Sequence, residues 1–135
     1  MSYQKVIIVG NLGRDPELRY TPDGTAVTSF SVATNRRWTN RDGSPGEETA
    51  WFRVSAWRRQ AEVAAEYLKK GRQVMVEGRL QADPATGGPQ VWTGQDGTPR
   101  ASYELTADRI TFLSGRDETT DAGGDVDDPE VIPFY

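Results

Sequence analysis

The chain has 135 residues, 36% of them hydrophobic, and carries 16 Lys and Arg against 20 Asp and Glu, for a net charge of −4. That length suits one domain of ordinary size with room for a core and a tail. Neither cysteine nor histidine is present, which excludes disulfides, thiolate and imidazole metal sites, and Ser-His or Cys-His nucleophilic catalysis.

The charge is unevenly placed. Residues 1–114 carry 15 Lys and Arg against 13 acids, a net +2, whereas residues 115–135 carry one Arg against seven acids, a net −6. A mildly basic body therefore bears an acidic tail, and the low overall pI says little against a nucleic-acid partner. No apolar run approaches the ~20 residues of a membrane span, and no signal peptide precedes the first apolar run. The expectation is a cytosolic protein.

The first element, in KVIIVGNLGRDPE (residues 5–17), meets two glycines, Gly10 and Gly13. The spacing does not fit a phosphate cradle: G-N-L-G is not G-x-G-x-x-G, and Arg14-Asp15 stands where a Walker loop ends in Gly-Lys-Ser/Thr. The segment that follows is too short for a crossover helix of about a dozen residues. It ends in Thr21-Pro22-Asp23-Gly24, a strong turn signal. The glycines then serve a bulge or sharp bend in an antiparallel sheet.

In chain order the sequence predicts strands over about residues 3–12 (resuming near Leu18), 26–35 and 49–57, a helix within residues 59–71, and strands over 72–81 and 101–113. In the helix, Val63, Ala64, Tyr67 and Leu68 share one face, Glu66 pairs with Lys70, and Gly71 is the C-terminal stop. The fold class is all-β. Five strands with one helix between strands 3 and 4 give the order of a small Greek-key barrel, the OB-fold. Residues 36–48 and 82–100 read as long turn-rich loops, the second able to hold a β-ribbon closed at Asp96-Gly97. Residues 115–135 read as a disordered acidic tail.

In AWFRVSAW (residues 50–57) side chains alternate between faces. Phe52, Val54 and Ala56 suit a barrel interior. Trp51, Arg53, Ser55 and Trp57 point the other way, since a central Arg is rarely buried without a partner. The remaining tryptophans, Trp38 and Trp92, fall in polar segments. Exposed indoles beside cations suit stacking of unpaired bases, worth on the order of 1–3 kcal/mol per base. Candidate phosphate contacts near them are Arg36, Arg37, Arg41, Arg53, Arg58, Arg59, Lys69, Lys70, Arg72 and Arg100. Duplex DNA hides its base faces, so this surface favours a single strand. A protein-interface patch built on Trp and Arg is the alternative from another class, and an RNA-binding or primosomal OB module the alternative within nucleic-acid binding. No spaced carboxylate pair sits in a recognisable catalytic site, so no enzyme, metal or cofactor is expected.

The stretches VIIVGNLGRDPELRYTPDG, FSVATN, TAWFRVSAW, AEVAAEYLKKG and VMVEGRL together make the chain resemble bacterial single-stranded DNA-binding proteins over residues 1–114. The resemblance implies an OB-fold, a homotetramer, and DNA wrapped on it by stacking and phosphate contacts during replication, recombination and repair. It places Trp38, Trp51 and Trp92 on the family's stacking tryptophans and Trp57 where the family stacks an aromatic, often Phe. Arg19, Arg41, Arg53, Arg59, Lys69, Lys70 and Arg100 lie at or near family basic positions. Two body departures stand out: residues 82–91 carry no Lys or Arg, and Phe52 replaces a His that some relatives use at a subunit contact.

The resemblance returns at DVDDPEVIPF. There Asp127 and Asp128 precede Ile132, Pro133 and Phe134, an acidic run with an apolar anchor suited to a basic-rimmed hydrophobic pocket on a partner protein. Tyr135 follows, a departure from the family's ending at Phe. The implied division is residues 1–114 for DNA binding and oligomerisation and 115–135 for a tail with a docking tip. The implied location is the bacterial cytoplasm, on the nucleoid.

Overall fold

The computed structural model describes residues 1–113. The expected tail and its tip, Asp127, Asp128, Ile132, Pro133 and Phe134, lie outside the described residues.

The elements are β1 (Val6–Leu12), β2 (Glu17–Tyr20), β3 (Ala26–Thr39), β4 (Pro45–Trp57), α1 (Arg59–Tyr67), β5 (Gln73–Leu80), β6 (Gln90–Thr93) and β7 (Pro99–Phe112). The sheet runs β1-β5-β7-β4-β3-β2. β1 also pairs with β3, Asn11 with Ala33 and Leu12 with Val32, and this closes a five-stranded barrel. β4 and β7 pair in parallel, the other neighbours antiparallel. β1 and β2 act as one bent barrel strand, and α1 connects the third barrel strand (β4) to the fourth (β5). This is the all-β OB-fold expected from the element order.

Alternation along each strand puts one set of side chains inside. Val32, Val54, Ala56, Val74, Val76 and Leu105 are completely buried, and Ala61, Ala64 and Leu68 of the helix segment close one end of this core. Thr28, also fully buried, donates its hydroxyl to the Ala61 carbonyl at 2.7 Å and ties β3 to α1. Gly10 sits where β1 crosses β3: a β-carbon there would stand 2.1 Å from the Ala33 carbonyl oxygen. Close backbone approach, rather than a nucleotide phosphate, explains this glycine.

Several sequence expectations are corrected. Residues 36–48 are not a loop. β3 and β4 continue as a hairpin out to Thr39↔Pro45, closed by a turn over residues 40–44. β1 starts at Val6, and β7 starts at Pro99. The helix ends at Tyr67, so Lys70 lies beyond it and the Glu66–Lys70 helical pair does not form. Leu68 turns extended and buries, Tyr67 is 54% exposed, and Gly71, at φ 90°, serves the following turn rather than the helix cap. The ribbon expected around Asp96-Gly97 is present as β6–β7.

Three turns use one solution, Asp-Gly-Thr or Asp-Gly-Ser. Gly24, Gly43 and Gly97 take φ of 88°, 87° and 83°, a region open to glycine. Asp23, Asp42 and Asp96 each accept the backbone N–H two residues on, at 3.2, 2.9 and 3.0 Å. In the first two turns a hydroxyl also donates to the carboxylate, Thr21 to Asp23 and Ser44 to Asp42. These bonds favour the ionised form and hold all three carboxyls below their usual range.

Candidate nucleic-acid interface

All four tryptophans are exposed: Trp38 38%, Trp51 52%, Trp57 42% and Trp92 44%. On β4 the outward face carries Trp51, Arg53, Ser55 and Trp57, while Val54 and Ala56 are buried beneath. Phe52, on the inward face, is partly buried against the core and meets the Tyr103 ring at 5.5 Å. Six residues apart on an extended strand, Trp51 and Trp57 stand about 20 Å from each other, with Arg53 between them.

Register extends this face sideways. Trp57 pairs with Val27, which pairs with Arg19 on β2. Arg53 pairs with Glu104 on β7. Two and four residues earlier on the same side of β7 come Ser102 and Arg100, and Arg100 pairs with Trp92 on β6. Trp51, Arg53, Trp57, Arg19, Arg100 and Trp92 therefore share one side of the sheet. Trp92 lies on a strand of the ribbon that the sequence allows around Asp96-Gly97.

Trp38 is placed differently. It too is on a strand, but its register partner is Gly46, on the side of the ribbon that carries Phe52 rather than Trp51. Its indole lies over Gly46, where a β-carbon would come within 2.3 Å of Cε2 and Nε1. Its Nε1 donates to Asn40 Oδ1 at 2.9 Å, and the Arg36 guanidinium carbon sits 4.8 Å from the ring centroid. Trp51 also rests on a glycine: a β-carbon on Gly13 would stand 2.6 Å from its Cζ3.

The candidate cations divide by what they already touch. Arg36 pairs with Glu48 at 3.6 Å, Arg37 with Glu47 at 3.9 Å, and Arg100 with Asp96 at 3.5 Å. Such exposed pairs are weak, about 0–1 kcal/mol. Arg72 is half-buried and engaged. Arg19, Arg41, Arg53, Arg59, Lys69 and Lys70 have no ion pair among the described residues. Arg41 sits at the hairpin tip, Arg59 begins α1, and Lys69 and Lys70 lie on the turn after it. That turn docks on the bend after β1: Lys70 N–H donates to Asp15 Oδ1 at 2.9 Å and Gly71 N–H to the Leu12 carbonyl at 2.9 Å.

Sequence reasoning missed Arg14. It lines a cleft of about 200 Å³ on the tryptophan-bearing side with Arg53, Ser29, Ser31, Asp15 and Glu17. The signal available was its place in the G-N-L-G-R bend, read there only as not fitting a Walker loop.

One backbone outlier borders the site. Arg58, directly after Trp57, has φ 59° and ψ −131°. It is the one non-glycine residue with positive φ among the described residues. Such a conformation costs on the order of 1–3 kcal/mol.

Residues 3–113 match the Single-strand binding protein family. The chain belongs to that family. It is 44% identical over 120 residues to a Neisseria meningitidis serogroup B protein named single-stranded DNA-binding protein, covering 89% of this chain and 65% of that one. Proteins of the same name from Wolinella succinogenes and Xanthomonas axonopodis pv. citri are 43% and 45% identical over 114 residues, 84% of this chain, and 66% and 59% of theirs. The chain thus spans less than two thirds of the length of the curated relatives it matches. Among the described residues no group of His, Cys, Asp or Glu is arranged to hold a metal ion. No helix there is long and apolar enough to cross a membrane.

Proposed function

We propose that this chain binds single-stranded DNA with little regard to sequence, as a binding protein without a catalytic step. The observation that carries this reading is the outward face of β4, where two exposed indoles flank an unpaired guanidinium. Bases stack on Trp51, Trp57 and Trp92, with Trp38 adding a platform on the hairpin. Phosphates meet Arg19, Arg41, Arg53, Arg59, Lys69 and Lys70, and also Arg36, Arg37 and Arg100 once their weak acid partners are displaced. Arg72 supports the site from beside the bend. The names of the relatives support the same ligand.

Residues 1–114 form the binding and assembly unit in this reading, and residues 115–135 recruit replication, recombination and repair proteins through Asp127, Asp128, Ile132, Pro133 and Phe134. A homotetramer in the bacterial cytoplasm is part of the proposal. Exposed apolar side chains, Ile7 at 54%, Leu80 at 48% and Val91 at 60%, offer surface for subunit contact.

The test is tryptophan emission titrated with dT oligomers, alongside light scattering for subunit number. Quenching is expected, with Trp51→Ala and Trp92→Ala each weakening binding by about 5- to 100-fold. Unchanged affinity in both variants would remove the stacking assignment. Competition by oligo-U as strong as by oligo-dT would favour an RNA-binding module instead.

A further inference from the structure

Beside Trp57 lies an open cleft of about 400 Å³, lined by Thr21, Pro22, Asp23, Thr25, Trp57 and Arg58. It is shallow and open to solvent, a groove along the surface rather than an enclosed cavity. One wall is the exposed indole. The turn between β2 and β3 supplies Thr21, Pro22, Asp23 and Thr25 to the same cleft. Asp23 on that turn is occupied, since its carboxylate accepts from the Thr21 hydroxyl and the Thr25 N–H.

Arg58 is the unexplained member. The chain turns at this residue from β4 into α1, and its main chain does the work: its N–H donates to the Ala26 carbonyl at 2.8 Å, and its carbonyl accepts from Ala61 N–H at 3.0 Å. Glycine would make both bonds and take φ 59° without steric cost. Nothing in the main chain calls for an arginine. The side chain makes no ion pair or hydrogen bond among the described residues and is exposed. What Arg58 does line is the cleft it shares with Trp57.

The geometry points to Arg58 as the phosphate-holding residue of a nucleotide seat walled by Trp57. A base of the bound strand lies on the indole, and its phosphate takes the guanidinium, whose planar fork suits phosphate oxygens. The seat carries the β4 track past the end of the strand. It rests on the single-strand reading above, and accounts for a strained residue that folding alone would replace.

Binding and folding then pull in opposite directions at one position. In the full chain, Arg58→Gly is expected to raise Tm while weakening binding of a labelled dT oligomer about 5- to 10-fold at low salt. It should also flatten the salt dependence by about 0.7, the share of one phosphate contact. Arg58→Lys keeps the charge and should keep the wild-type slope. Unchanged affinity and slope in Arg58→Gly overturn the seat, as does a lysine variant no better than glycine. A lowered Tm in Arg58→Gly overturns the strain on which the inference stands. Wild-type protein that binds no dT at all defeats the single-strand reading itself, whereas wild-type binding with an unaffected glycine variant defeats only this seat.

Discussion

The ring of Trp51 rests directly on the backbone of Gly13, so close that a β-carbon on the glycine would come within 2.6 Å of Cζ3. The G-N-L-G bend therefore has two glycines with different duties. Gly10 lets β1 pass the Ala33 carbonyl, and Gly13 clears a bed for an indole. Gly13→Ala is expected to displace the ring and lose part of the ~1–3 kcal/mol that one stacked base supplies, with a shift in tryptophan emission and little change in melting. Gly10→Ala is expected to do the reverse, lowering stability by roughly 1–3 kcal/mol through overpacking against backbone. Thermal melts and dT titrations on both variants check the division.

The hairpin pairs Arg36 with Glu48 and Arg37 with Glu47 at ladder positions. Both acids face cations that a phosphate would want. Glu47→Gln and Glu48→Gln should each cost less than about 1 kcal/mol of stability. Each should tighten binding at low salt, where surface charge is least screened. A double variant with weaker binding would show that these acids position the arginines rather than compete for them.

These residues also show where sequence reasoning stopped. The alternation in AWFRVSAW is legible because a period of two separates a buried face from an exposed one within eight residues. The neighbouring hairpin is not legible, because its ladder is built from Gly, Pro, Asn and charged residues that read as loop. Its pairing rests on cross-strand contacts, Arg36 with Glu48 and Trp38 over Gly46, that exist only once the register is set. The helix end is not legible, because Leu68, which continues the apolar stripe, buries in an extended conformation. Arg58 carries no sequence mark of its positive φ at all, since only glycine advertises one. Arg14 emerged only when the bend brought it beside Arg53.

The three Asp-Gly turns make an acid-side prediction. Thr21 is the main cause of the lowered value for Asp23, the Ser44 hydroxyl for Asp42 and the Thr98 backbone N–H for Asp96. Folded values below the ordinary 3.8 mean stabilisation that is fully present above 3.8 and lost as pH falls through the folded values. With no histidine in the chain, Tm should stay nearly flat from neutral pH to about pH 5 and then drop. Asp42→Asn should shrink that drop. A melting curve series against pH reads it directly.

Thr28 offers a test of the barrel plug. Thr28→Val keeps the shape but removes the hydroxyl bonded to the Ala61 carbonyl, and should cost about 1–2 kcal/mol in urea denaturation. Binding should persist under native conditions, because Thr28 lies on the buried face of β3.

The register of the hairpin has a consequence for length. Trp38 belongs to the Phe52 side of the ribbon and Trp51 to the other, so a polymer that meets both indoles has to travel round the ribbon's rim. An oligonucleotide too short for that detour engages one side only. Emission from Trp38 would then stay silent with short probes and respond only once the strand is long enough to turn the corner.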